Sequence, residues 1–170
     1  AVLAFVRSKI LANQNRRLKP IDVHDIVCKI GEVVVMGGVR RSALISLSDL
    51  DDPDMRDAKK GQFYLNEPQR SMSNNSTVYD KKPDANIFLD EWIALAKSGT
   101  GERGIFNRGG LQKQVPKRRW KLFGKKALTV GSNPCGEIIL RSKEFCNLSE
   151  VVARPNDTEK SLLKKIRLAS

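Results

Sequence analysis

Three observations predict an α/β fold for this chain of 170 residues. Helix-period stretches alternate with short apolar strands, capping or glycine residues mark their junctions, and neither an internal repeat nor a low-complexity tract interrupts them. A hydrophobic content of 40% with 6% aromatics is enough for one domain with a real core. Such alternation calls for crossover connections and is compatible with an open or a closed sheet.

Taken in order, Asp22 after Pro20 is a plausible N-cap. Ile26, Ile30, Val33 and Val34 then share a face before Gly37 and Gly38, so a helix is expected over about 23–35. "SALISLSDLDDPD" places Ala43, Ile45 and Leu47 on one side of an extended segment. A glycine-arginine loop, "GGVRRS", therefore joins a helix to a strand. "STVY" at 76–79 reads as a short strand. Asp84 caps a helix in which Ile87, Glu91 and Leu95 share one side, and Gly99 ends it. "GIFN" at 104–107 is another strand, and "QKQVPKRRWKLFGKK" a basic surface excursion over about 112–126. A further strand includes Ile138 to Leu140, and Phe145 to Val152 is expected to be partly extended. Leu162, Leu163 and Ile166 open a last helical pattern.

Thirty-one Lys and Arg against nineteen Asp and Glu leave a formal charge of +12, which favours polyanionic partners such as nucleotide phosphates or nucleic acid. "AVLAFVRSKI" has no charged n-region and its apolar run breaks at Arg7, so it is not read as a signal peptide. No run reaches the roughly 18 apolar residues of a membrane span. Both ends look cut, and a piece of a longer polypeptide is expected. Three cysteines, an odd count without secretory context, point to reduced thiols in a cytoplasmic compartment.

"GTGERG" at 99–104 matches a dinucleotide-binding pattern, but that motif must follow a strand and open a helix, and here the order is reversed. A helix cap followed by a turn is the simpler reading. The basic excursion interleaves Trp120 and Phe123 with seven cations between 113 and 126. Such a stretch can face a single-stranded polyanion, or lie as a solvated loop with its two aromatics tucked beneath it. His24 is expected to cap or decorate its helix, and Cys28 to pack within it. No cysteine and histidine spacing fits a structural metal.

"GSNPCGEIIL" raises a sharper question. If residues 133–137 are extended, Asn133, Cys135 and Glu137 point the same way, so an amide, a thiol and a carboxylate share one site. Pro134 fixes the backbone before the thiol, and Gly136 removes bulk beside it. A carboxylate so close disfavours a thiolate, which argues against a protease-type nucleophile. A neutral thiol beside a base suits hydrogen-atom chemistry, with Cys135 as the radical and Glu137 handling a proton. The alternative is a tight Asn-Pro turn with a buried cysteine.

"GSNPCGEIIL" followed by "FCNLSEVV", with "GGVRRSALISL" upstream and "MSNNSTVYD" and "SGTGERGIFN" between, resembles adenosylcobalamin-dependent (class II) ribonucleotide reductase over about residues 18–154. The resemblance implies that residues 1–170 are a partial catalytic domain, a fragment of a ten-stranded α/β barrel with the active-site cysteine on an inner loop. It implies that a thiyl radical on Cys135 abstracts the ribose 3′-hydrogen. Glu137 would serve as base at the 3′-hydroxyl, and Asn133 would hydrogen-bond the ribose or the neighbouring carboxylate. Cys146, eleven residues after Cys135, would be one of two reducing cysteines, the other absent from these residues.

The loop Gly37, Gly38, Val39, Arg40 and Arg41 resembles the family's specificity loop, which lies between a deoxynucleotide effector and the substrate base. The implied cofactor is adenosylcobalamin and the implied partners are a ribonucleotide and a thioredoxin-like or dithiol reductant. The implied role is supply of DNA precursors for replication, with the fragment alone inactive. The cysteine pair that re-reduces the site is not among these residues, and the excursion at 112–126 belongs to no motif of the family. The rival expectation is a basic nucleic-acid-binding module in which NPCGE is only a turn; direct nucleic-acid binding is the less expected of the two.

Overall fold

The computed structural model describes residues 2–37, 43–124 and 129–169. The glycine-arginine loop, from Gly38 to Arg41, lies outside the described residues. Helix α1 (Val2–Ala12) packs on helix α2 (Pro20–Gly37), and strand β1 (Leu44–Ser48) follows. Two short helices, α3 (Pro53–Arg56) and α4 (Phe63–Asn66), and a 3-10 turn (Pro68–Met72) lead to strand β2 (Ser73–Val78). Helix α5 (Ala85–Ser98) then crosses over to strand β3 (Gly104–Phe106).

The three strands form a parallel sheet in the order β1-β2-β3, with Leu44 opposite Ser73, Leu47 opposite Ser76, and Ser76 opposite Gly104. The expected α/β architecture with crossovers is therefore present. The fold continues through α6 (Leu111–Gln114) and α7 (Lys117–Phe123) to an antiparallel pair, β4 (Gly131–Ser132) and β5 (Ile139–Leu140), and ends in α8 (Glu159–Ala169).

Local chemistry explains both ends of α5. Asp84 caps α5 by accepting a bond from Asn86 N at 2.9 Å, and Gly99 closes it in the left-handed region at φ 71°. At α2 the expectation shifts. Pro20 takes the first helical position, and Asp22 sits inside the first turn, where its carboxylate accepts from Lys19 N at 3.1 Å. This is half of a capping box, so the helix begins three residues earlier than expected.

The face that α2 buries is also corrected. Ile30, Val33 and Val34 are about half exposed, whereas His24, Asp25 and Cys28 are buried. His24, expected at the surface, is 7% exposed. The cause is charge pairing: Asp25 accepts from Lys9 Nζ at 2.7 Å and from Arg70 Nε and Nη2 at 2.7 and 3.0 Å. Two guanidinium bonds and an ammonium offset the desolvation of one carboxylate and pull this polar stripe inward.

A second buried pair ties the sheet to α5. Arg103 bonds Glu91 through Nε and Nη2 at 3.1 and 3.0 Å, and its remaining donors reach Ser48 Oγ and the carbonyls of Asp49 and Leu50 at 2.8–2.9 Å. Glu102 accepts from Lys59 Nζ and from Asn75 N. The charged residues of "GTGERG" thus staple the loop between α5 and β3, as a cap and turn would. Phe145 to Val152, expected to be partly extended, forms no strand and runs as irregular chain.

Candidate active site

The Cys135 segment is the loop of a short hairpin. Gly131 pairs with Leu140 and Ser132 with Ile139, while Gly136 N donates to Asn133 O at 3.0 Å and closes a four-residue turn. Asn at the first position, Pro at the second and Gly at the fourth are the residues such a turn favours, and Gly136 adopts φ 83°. Residues 133–137 are consequently not extended, and the alternation expected to align Asn133, Cys135 and Glu137 does not operate. A prolyl ring at 134 and a carbonyl at 133 turned back onto 136 leave no room for a straight strand.

The three side chains occupy different environments. Asn133 is 8% exposed, and its Oδ1 accepts from Ile138 N at 3.0 Å while its backbone N donates to Ile138 O at 3.1 Å. Asn133 therefore builds the turn. Cys135 and Glu137 are both exposed on the loop, with Cys135 a free thiol. Cys146 is a free, half-buried thiol in the irregular segment after β5. Gly37 ends α2, and the other four residues of the expected specificity loop are outside the described residues.

Two anchors hold the hairpin. At its base, Val130 is 1% exposed and clusters with Leu111 and Phe123, against which Phe106, Val115, Trp120 and Ile139 pack. The aromatics of the basic excursion thus tuck beneath it; its described part, up to Gly124, carries two short helices, α6 and α7, and residues 125–126 lie outside the described residues. Phe123 is buried and Trp120 partly buried, while Lys117, Arg118 and Lys121 are exposed. Arg108 reinforces the base. It pairs with Asp80 at 2.6 and 2.9 Å, holding that carboxyl below its usual range, and donates to Val130 O at 3.5 Å. At the tip, Asn74 Nδ2 donates to Pro134 O at 3.3 Å. A Cβ at Gly131 would lie 3.2 Å from Leu47 Cδ1, so the hairpin runs close over β1 and β2.

Behind β2, His24 Nε2 meets Asn75 Oδ1 at 3.0 Å, and its Nδ1 lies 3.7 Å from Asp25 Oδ1. Burial pulls the His24 pKa down, but the bond to Asp25, with smaller contributions from Cys28 and Asn75, outweighs it and raises the value to about 9. Asp25 is pushed up by burial and more strongly down by His24, Arg70 and Lys9. Asn74 and Asn75 were not singled out individually by sequence reasoning. Their signal was legible: asparagine is disfavoured in strands, and "SNNS" puts two inside one. Among the described residues no group of three His, Cys, Asp or Glu side chains is placed to hold a metal ion.

Several curated proteins similar to this chain share one name. An adenosylcobalamin-dependent ribonucleoside-triphosphate reductase of Lacticaseibacillus paracasei is 36% identical over 155 residues, covering 88% of this chain. That of Levilactobacillus brevis is 34% identical over 154 residues, again 88% of this chain, and that of Lactobacillus leichmannii 36% over 140, or 79%. The chain is a relative of part of the adenosylcobalamin-dependent ribonucleotide reductases. It spans 18–19% of the length of these relatives. A match over 88% of 170 residues necessarily includes the Cys135 turn and Cys146 of the reductase-like stretch. No protein-family profile matches the chain, and no solved structure matches it. Among the described residues of this reductase relative, no helix is long and apolar enough to cross a membrane.

Proposed function

We propose that this chain is part of the catalytic barrel of an adenosylcobalamin-dependent ribonucleotide reductase, which converts ribonucleotides to 2′-deoxyribonucleotides and supplies DNA precursors for replication in a cytoplasm. The observation that carries the reading is the free, exposed Cys135 thiol at the tip of an anchored turn, inside the stretch matched to the reductases.

The residues present fit the cofactor in one respect: a bulky organic group needs an accessible thiol, and Cys135 is exposed. When bound, adenosylcobalamin would supply the radical chemistry, a one-electron oxidation with loss of the thiol hydrogen, at Cys135. Cys135 as a thiyl radical then abstracts the ribose 3′-hydrogen, forming S–H and leaving a carbon radical. Glu137 takes the proton of the 3′-hydroxyl, and the 2′-hydroxyl leaves with a proton as water. Two electrons and two protons come from Cys146 and a second thiol, which become a disulfide, and the Cys135 hydrogen returns to the 3′ position. Asn133, by holding the turn, sets the direction in which thiol and carboxylate face the sugar.

A thioredoxin-like or dithiol reductant then supplies two electrons and two protons that reduce this disulfide back to two thiols, and is itself oxidised to a disulfide. Gly37, Gly38, Val39, Arg40 and Arg41 relay a deoxynucleotide effector to the substrate base, with planar arginine donors suited to a base edge or a phosphate.

The test uses the full-length polypeptide that contains this chain. Cys135→Ser abolishes both deoxynucleotide formation and substrate-dependent tritium loss from the ribose 3′ position, because a serine O–H bond is too strong to relay the radical. Turnover retained by that variant removes the radical assignment.

A further inference from the structure

One carbonyl beside Cys135 is held from outside the turn. Asn133 O takes the Gly136 N–H, and Asn133 Oδ1 takes the Ile138 N–H. The Pro134 carbonyl, which belongs to the peptide bond that ends at Cys135 N, has neither. Its partner is Asn74 Nδ2, sixty residues away on β2, at 3.3 Å.

Asn74 is held on both sides. Ser73 O accepts from Lys59 Nζ, Asn75 N donates to Glu102 Oε2 at 3.1 Å, and Asn75 Oδ1 meets His24 Nε2 at 3.0 Å. Ser73 and Asn75 are each 3% exposed and point to the face opposite that of Asn74. The amide therefore projects from an immobilised strand onto a loop, the arrangement that defines geometry best. Rotation of the Pro134–Cys135 peptide plane swings the Cys135 side chain, and the bond from Asn74 restrains that rotation.

We propose that Asn74 is a positioning residue, which acts through the Pro134 carbonyl to fix the direction of the Cys135 thiol. The inference rests on the reading of Cys135 as the reacting group. Misplacement by about 1 Å can cost roughly a hundredfold in rate, so a weak, exposed bond suffices to matter for chemistry.

In the full-length polypeptide, Asn74→Ala and the near-isosteric Asn74→Asp both lose the donor, while Asn74→Gln keeps an amide. The expected result is a fall in kcat and in 3′-tritium loss of roughly tenfold to a hundredfold, with KM for the nucleotide unchanged. Amide hydrogen exchange at Cys135, Gly136 and Ile138 should quicken, and Asn74→Gln should recover part of both. A raised KM at unchanged kcat would overturn the proposal in favour of direct substrate contact, as would Asn74→Asp matching the parent in rate and exchange. Should Asn74→Ala unfold, Asn74→Asp decides the question. If the parent itself loses no tritium, the radical reading falls, and the exchange rates alone then decide the positioning: faster exchange in Asn74→Asp keeps it, unchanged exchange removes it.

Discussion

His24 of α2 and Asn75 of β2 meet through Nε2 and Oδ1 at 3.0 Å, joining the long helix to the central strand of the sheet across a buried polar contact. Around the ring stand Asp25 and Cys28 on the same helix and, beyond Asp25, Lys9 of α1 and Arg70 of the 3-10 turn. The contact lies directly behind the strand that carries Asn74.

This geometry predicts a stability loss on the alkaline side. The His24 pKa rises from 6.5 to about 9 on folding, so the folded state holds the proton more tightly. The stabilisation is therefore complete below about pH 6.5 and is lost as pH rises through about 9. Thermal midpoints measured from pH 6 to 10 should decline over that window, and His24→Gln should flatten the decline. An equal decline in both proteins would mean that another group titrates.

Cys146 is proposed as a reductant and not as the radical carrier. In the full-length polypeptide, Cys146→Ser should still permit tritium loss from the ribose 3′ position. Without the two-electron donor the nucleotide should decompose and release its base in place of deoxynucleotide. Product chromatography distinguishes these outcomes, and normal multiple turnover would assign the reducing thiol elsewhere.

Phe123 joins the basic segment to the base of the Cys135 hairpin and is 4% exposed. Phe123→Ala should cost about 3 kcal/mol or somewhat more, from lost burial and the cavity left beside Val130. Lys117→Ala and Lys121→Ala, on the exposed side of α7, should stay within about 0.5 kcal/mol of the parent. Denaturant midpoints compare the three, and equal costs would show that α7 does not buttress the hairpin.

The sequence alone determined what is decided over a few residues. The caps at Asp84 and Gly99, the crossover from β2 to β3 and the turn composition of "NPCG" each follow from neighbours in the chain, where propensity and capping act. Its motifs also carried the family resemblance that the reductases of lactobacilli bear out. The buried side of α2 could not be read this way. Periodicity assumes that apolar residues turn inward, but Asp25 meets two cations from α1 and the 3-10 turn, and the paired charges take that face. The extended reading of 133–137 failed for a related reason, since Gly136 N closes onto Asn133 O and Pro134 bends the chain. Only the tertiary structure brought Asn74 to Pro134 and Phe123 beneath Val130. No local pattern relates Asn74 to Pro134, and their contact forms only when the parallel sheet sets a strand against a loop sixty residues further along.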